Sequence, residues 1–144
     1  MISIDTNVLL RYLLMDDEVQ SPKAVKRITG KKKVLVTDVV LAETTWALKG
    51  KRYKLTQDVI VQVLHSLFEE PNIVFEDGST IWRAMHDYRL AEPIKIGGKK
   101  KQADFADALV VNKSKYVVSC IGEELEAVYT FDTAARKIDG TKAP

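Results

Sequence analysis

Short apolar runs alternate with longer stretches in which apolar positions recur every three or four residues. Met1 to Ile4, Val34-Leu35-Val36, Ile73-Val74-Phe75 and Ala127 to Phe131 read as short buried strands. Thr6 to Met15 reads as a helix, with Val8, Leu9, Tyr12 and Leu13 on one stripe. Ser21-Pro22 offers an N-cap and a first-position proline for a helix to about Thr29, which Gly30 ends. Thr37 suits the cap of a helix carrying Glu43 in its second turn. Thr56 suits the cap of the next, whose stripe is Val59, Ile60, Val63, Leu64 and Leu67 and which stops at Pro71-Asn72. Ser79 to about Leu90 is helical, with Ile81, Trp82, Met85 and Tyr88 or Arg89 on one face. Pro93 to Lys101, with Gly97-Gly98, reads as a loop. Ala103 to about Cys120 reads as one long helix, although Val117-Val118 would also suit a strand. Thr133 to Ile138 forms a short terminal helix.

Strands alternating with helices imply an α/β fold with a central parallel sheet covered on both faces. The 144 residues make one domain, 1–144, large enough to bury a core without a disulfide or structural metal. Trp46, Trp82 and Phe68 are expected in that core. The single Cys120, in an apolar stretch, is expected to be a small core residue of a protein from a reducing compartment. No apolar run reaches the roughly 20 residues that span a membrane. Asp5 and Arg11 interrupt the stretch where a signal peptide needs an apolar region. The expected location is therefore cytoplasmic, with no membrane partner.

Acids placed against the apolar runs change the picture. Asp5 closes the first strand and Asp132 the last, and sites in parallel α/β folds form at the carboxyl ends of strands. Asp104 and Asp107, three apart, share one face of the long helix. Glu43 joins them if its helix starts at the same sheet edge. A carboxylate beside a buried segment is costly unless it is paired or holds a cation. Oxygen donors without a His or Cys partner at ligand spacing suit Mg²⁺ or Mn²⁺ and not zinc. A pair of such ions suits phosphodiester hydrolysis, because one acidifies an attacking water and the other stabilises the leaving oxygen. Each acid also has a plainer reading. Asp5 is as good a strand-end turn residue, Glu43 alone suits a solvent-facing helix position, and Asp104 suits an N-cap. Asp107 stands deeper in its helix, where a cap role is not expected.

The order Ile4-Asp5-Thr6-Asn7-Val8-Leu9-Leu10, then Glu43 in a helix, then Ala103-Asp104-Phe105-Ala106-Asp107-Ala108-Leu109-Val110, then Thr130-Phe131-Asp132, resembles the PIN-domain proteins. More narrowly, it is similar to the VapC toxins of prokaryotic toxin–antitoxin pairs. The resemblance covers nearly the whole chain and implies a Rossmann-like α/β/α sandwich. It also implies a Mg²⁺- or Mn²⁺-dependent endoribonuclease, homodimeric and inhibited by a small VapB-like antitoxin. By position, Asp5, Glu43, Asp107 and Asp132 match the family's catalytic, metal-holding acids. Asp104 fits as a further ligand, direct or through water. Thr6, Asn7 and Thr130 match polar positions that support the site. The segment from Asp107 to Asp132 is longer than is usual in the family, and its extra residues, around Asn112 to Leu125, suggest an extended helix end.

A net charge of +2 permits a nucleic-acid partner without demanding one. Its distribution says more. Lys99-Lys100-Lys101 precede the helix with the paired acids and are candidate RNA contacts, as is Arg11, which also suits an ion pair with a nearby acid. Lys31-Lys32-Lys33 read as a solvated turn. Leu13, Leu14 and Met15 are candidates for a groove that takes an antitoxin helix, or for core or dimer contacts. Two alternatives compete with a toxin: a housekeeping RNA-processing nuclease without antitoxin, and a non-catalytic RNA- or protein-binding domain that keeps the fold. A phosphatase of the haloacid dehalogenase type would want a second Asp two residues after Asp5, where this chain has Asn7.

Overall fold

A computed structural model describes all 144 residues. The chain divides into two compact units, Met1–Gly78 and Ser79–Pro144.

In the first unit β1 (Ile2–Ser3), β2 (Val34–Val36) and β3 (Ile73–Phe75) form a parallel sheet in the order β1-β2-β3. Ile2 is in register with Val34 and Val34 with Ile73. The links are helical, as parallel neighbours require: α1 (Thr6–Leu14) and α2 (Gln20–Ile28) join β1 to β2, and α3 (Asp38–Lys49) and α4 (Gln57–Glu69) join β2 to β3. The parallel sheet flanked by helices is the Rossmann-like α/β architecture that the alternating pattern implies. Val34 and Val36 of the central strand are fully buried, with Leu9, Ile28, Leu41, Leu48, Ile60, Leu64 and Leu67 from the helices. Asn72 ties this unit together, donating through Nδ2 to the carbonyls of Ile28 (3.0 Å) and Gly30 (2.7 Å). One side chain thus joins the end of α2 to the start of β3.

Thr37 and Thr56 cap α3 and α4 as the sequence suggests, accepting from Val40 and Val59 N–H. The start of α2 differs. Asp17, not Ser21, provides the cap, its Oδ1 accepting from Val19 N–H (2.9 Å) and Gln20 N–H (2.6 Å). The helix therefore begins before Pro22, which stands in the first turn, where its missing N–H costs nothing. Ser21 is buried and accepts from Asp17 N–H.

In the second unit, α5 (Gly78–Leu90) buries Thr80, Ile81, Ala84, Met85 and Tyr88. The segment read as a loop is a hairpin: β4 (Ile94–Ile96) pairs antiparallel with β5 (Lys99–Lys101). Its strands escape an apolar-pattern reading because β5 is three lysines. Gly97 and Gly98 both have positive φ (56° and 78°), which the two-residue type I′ turn demands. The long helix α6 (Phe105–Cys120) runs through Val117-Val118 without a break. β6 (Val128–Tyr129) pairs in parallel with β7 (Thr141–Lys142), a strand too short and polar to see in the sequence. The N–H groups of Val128 and Thr130 are spent on the Gly140 and Lys142 carbonyls. The strand before Asp132 therefore belongs to its own ladder, not to the three-stranded sheet. A short 3₁₀ turn (Ala135–Lys137) stands where a terminal helix was expected.

Three expected core residues lie elsewhere. Cys120 is exposed at the end of α6. Trp46 and Trp82 are about half exposed, at 53% and 48%. Each shares its helix with a fully buried stripe (Leu41 and Leu48, Ile81 and Ala84), so each indole falls on the rim of that stripe. Phe68 is half-buried against Phe75, ring centroids 4.6 Å apart.

Because Asn72 satisfies two carbonyls at once, Asn72→Ala is expected to cost about 1–3 kcal/mol through the acceptors it strands. Urea denaturation measures this directly.

Candidate functional site

Each acid singled out in the sequence is held by hydrogen bonds from nearby backbone or hydroxyl groups. Asp5 leaves the strand with extended backbone (φ −92°, ψ 175°) and becomes the N-cap of α1. Its Oδ1 accepts from Val8 N–H at 2.9 Å, leaving Oδ2 without a hydrogen bond. Thr6, next along, donates its hydroxyl to Oε2 of Glu43 at 2.5 Å. α1 packs on α3, so a residue at the start of one helix reaches a residue in the second turn of the other. Asp5 and Glu43, both exposed, are thereby joined through Thr6, and Oε1 of Glu43 is also without a hydrogen bond.

Asn7 and Arg11 lie on the same helix. With Asp5, Val8, Lys23 and Arg27 they line a cleft of about 330 Å³ in the first unit. Arg11 is engaged: it donates to Asp16 (2.8 Å) and to Gln20 Oε1 (2.9 Å). The Asp16 contact raises the guanidinium pKa and holds the Asp16 carboxyl below its usual range. Asp17 is lowered too, chiefly by the Gln20 and Val19 amides.

In the second unit Asp104 is the N-cap of α6 and Asp107 its third residue. They form a capping box, in which Asp107 Oδ2 accepts from Asp104 N–H at 2.7 Å. Asp107 does play a cap role, against the sequence expectation, because α6 begins at Phe105 and puts this side chain within reach of the N-cap amide. Both acids are half-buried, while Phe105, Ala108 and Leu109 seat the helix in the core.

Asp132 follows β6. Its Oδ1 accepts from Ala134 N–H (2.8 Å) and Ala135 N–H (3.1 Å), and its own N–H donates to the Thr130 hydroxyl (3.0 Å). Its Oδ2 accepts from Lys101 Nζ at 2.9 Å, and this bond is the main reason the carboxyl sits below its usual range. The two backbone amides push the same way and desolvation opposes them. Lys101 is thus bound to an acid, whereas Lys99 and Lys100 are exposed without an acidic partner.

No three His, Cys, Asp or Glu side chains lie close enough together to hold a metal ion. The donor set nevertheless fits a hard cation by its chemistry. It is all carboxylate oxygen, and Asp5 and Glu43 each keep one oxygen without a hydrogen bond. Two arrangements were not visible in the sequence. One is the Lys101–Asp132 pair, which joins residues far apart in the chain. The other is buried Asn112, which donates to Asp87 (2.8 Å) and to the Ala108 carbonyl (3.0 Å). A polar residue directly after Val110-Val111 is the only signal of the second.

A parallel sheet flanked by helices, with Asp5 capping the helix after its first strand, is a Rossmann-like α/β architecture. The PIN-domain family model matches residues 2–141, and the chain belongs to that family, whose members are generally nucleases. No curated protein sequence matches the chain. No helix is long and apolar enough to cross a membrane.

The stability that the ionised Asp132 contributes is present above the ordinary carboxylate value of 3.8 and is lost as pH falls through its lower folded value. Lys101→Met should therefore move the Asp132 titration upward, read by carboxyl-carbon NMR of the metal-free protein.

Proposed function

We propose that the protein is a Mg²⁺- or Mn²⁺-dependent endoribonuclease that hydrolyses RNA phosphodiester bonds and acts as the toxin of a type II toxin–antitoxin pair. The observation that carries the reading is the Asp5–Thr6–Glu43 arrangement, in which the Thr6 hydroxyl donates to Glu43 beside the Asp5 cap, in a chain whose residues 2–141 match the PIN domain. Asp5, Glu43, Asp107 and Asp132 are the proposed catalytic and metal-holding acids. Asp104 is a further proposed ligand, and Thr6, Asn7 and Thr130 support them. The cation, when bound, lowers the pKa of the attacking water and offsets charge on the leaving oxygen. The chain's own residues prepare for it. The Val8 amide fixes one Asp5 oxygen and leaves the other available. The Thr6 hydroxyl fixes Glu43 in the same way. The Asp104 amide orients Asp107, and the Ala134 and Ala135 amides orient Asp132 and favour its ionised form.

The toxin role rests on the order of the acids. It brings a homodimer and a small VapB-like antitoxin as partners, a cytoplasmic setting, and a single functional domain over residues 1–144. Arg11 and Lys99 to Lys101 are the proposed RNA-facing cations. Of these, Arg11 and Lys101 already hold acids and would have to share them.

RNA cleavage by the wild type is expected to require Mg²⁺ or Mn²⁺. Asp5→Asn or Asp107→Asn is expected to lower the rate at least ~100-fold, several kcal/mol of transition-state stabilisation, with the melting temperature little changed. Expression of the wild type, but not of Asp5→Asn, should arrest growth of a bacterial host. Cleavage that persists in chelator would contradict the mechanism, and cleavage without growth arrest would favour a housekeeping nuclease.

A further inference from the structure

The hairpin β4–β5 places like charges directly opposite one another. Lys95 pairs in register with Lys100, and Ile96 with Lys99. Side chains alternate along a strand, so Lys100 shares a face with Lys95, while Lys99 and Lys101 point the other way. Directly opposed residues of an antiparallel pair have Cβ atoms about 4.5–5.5 Å apart, and like charges there are destabilising. Lys95 and Lys100 are exposed and neither has an acidic partner. The Gly97-Gly98 turn fixes the register that imposes this repulsion. Lys101, on the other face of the same strand, holds Asp132 at 2.9 Å and so anchors the hairpin to an acid of the proposed site.

Two exposed lysines paired across the ladder without an acidic partner, on the face opposite Lys101, suit one anionic oxygen cluster lying between them. We propose that Lys95 and Lys100 form a phosphate clamp for the backbone of the bound RNA strand. This deepens, and rests on, the nuclease reading. The clamp separates the three lysines of β5 by role: Lys100 binds phosphate with Lys95, Lys101 positions Asp132, and Lys99 stands outside the pair. An RNA phosphate offsets the repulsion that the fold leaves unbalanced. The competing explanation is that lysines on an exposed two-stranded edge only deter pairing with another chain.

The test is binding of a single-stranded RNA oligonucleotide in EDTA, by fluorescence anisotropy across a salt series, with Mn²⁺-dependent cleavage measured in parallel. Each phosphate contact to single-stranded RNA contributes about 0.7 to the slope of log K against log salt. Lys95→Gln with Lys100→Gln should lower the slope by roughly 1.4 and raise KM with kcat nearly unchanged. Lys31→Gln with Lys32→Gln removes the same charge from the turn before β2 and should leave the slope near wild type. Lys95→Glu places opposite charges across the ladder, so RNA binding should weaken while the melting temperature holds or rises. If the wild type cleaves RNA but the hairpin variant keeps its slope, or loses no more than the control pair, the clamp is overturned and the nuclease reading stands. Unchanged RNA binding with lost binding of a poly-glutamate peptide would overturn the clamp in favour of a protein partner. If the wild type neither binds nor cleaves RNA, both readings fall.

Discussion

The junction between a strand and the helix that follows it is the constraint on which this structure turns. A helix start presents N–H groups with no intrahelical partner and a partial positive charge. An acid placed there satisfies those donors. Asp5 does this for α1, Asp104 and Asp107 for α6, and Asp132 for the 3₁₀ turn. Glu43, in a second turn, lacks such donors and takes the Thr6 hydroxyl instead. The same hydrogen bonds that end the strands and start the helices therefore fix the carboxylates of the candidate site. Structural capping and function are not competing explanations for these residues, because each carboxylate has two oxygens and can serve both.

Local rules made much of this legible. The alternation of strand and helix, the Thr37 and Thr56 caps and the three strands of the parallel sheet follow from apolar spacing and from residues that bond their own backbone. Failures occurred where the deciding partner was elsewhere. The cap of α2 is Asp17, because a carboxylate three residues ahead of Gln20 outcompetes the Ser-Pro signal. The hairpin was hidden because β5 is held by its turn and its ladder and not by apolar burial. β7 is two residues long and is specified by its pairing with β6. Cys120, Trp46 and Trp82 show the limit of reading burial from composition, since an apolar residue on a helix rim is only partly covered.

The candidate acids stand out in the sequence through their order and context, whereas their partners do not. Nothing in the chain announces that Lys101 meets Asp132 across 31 positions, or that Thr6 meets Glu43 across 37. Those contacts orient Glu43 and Asp132, and the Lys101 bond holds the Asp132 carboxyl below its usual range. The basic hairpin carries Lys101, which holds Asp132, on one face and Lys95 and Lys100 on the other.

Divalent-cation binding is the most direct test of the central claim. Titration of the wild type with Mn²⁺, followed calorimetrically and by the electron paramagnetic resonance of the ion, should show saturable binding to an oxygen-only site. Asp5→Asn and Asp132→Asn should each weaken that binding by at least ~10-fold, about 1.4 kcal/mol. No saturable Mn²⁺ binding by the wild type, or binding unchanged in both variants, would contradict it.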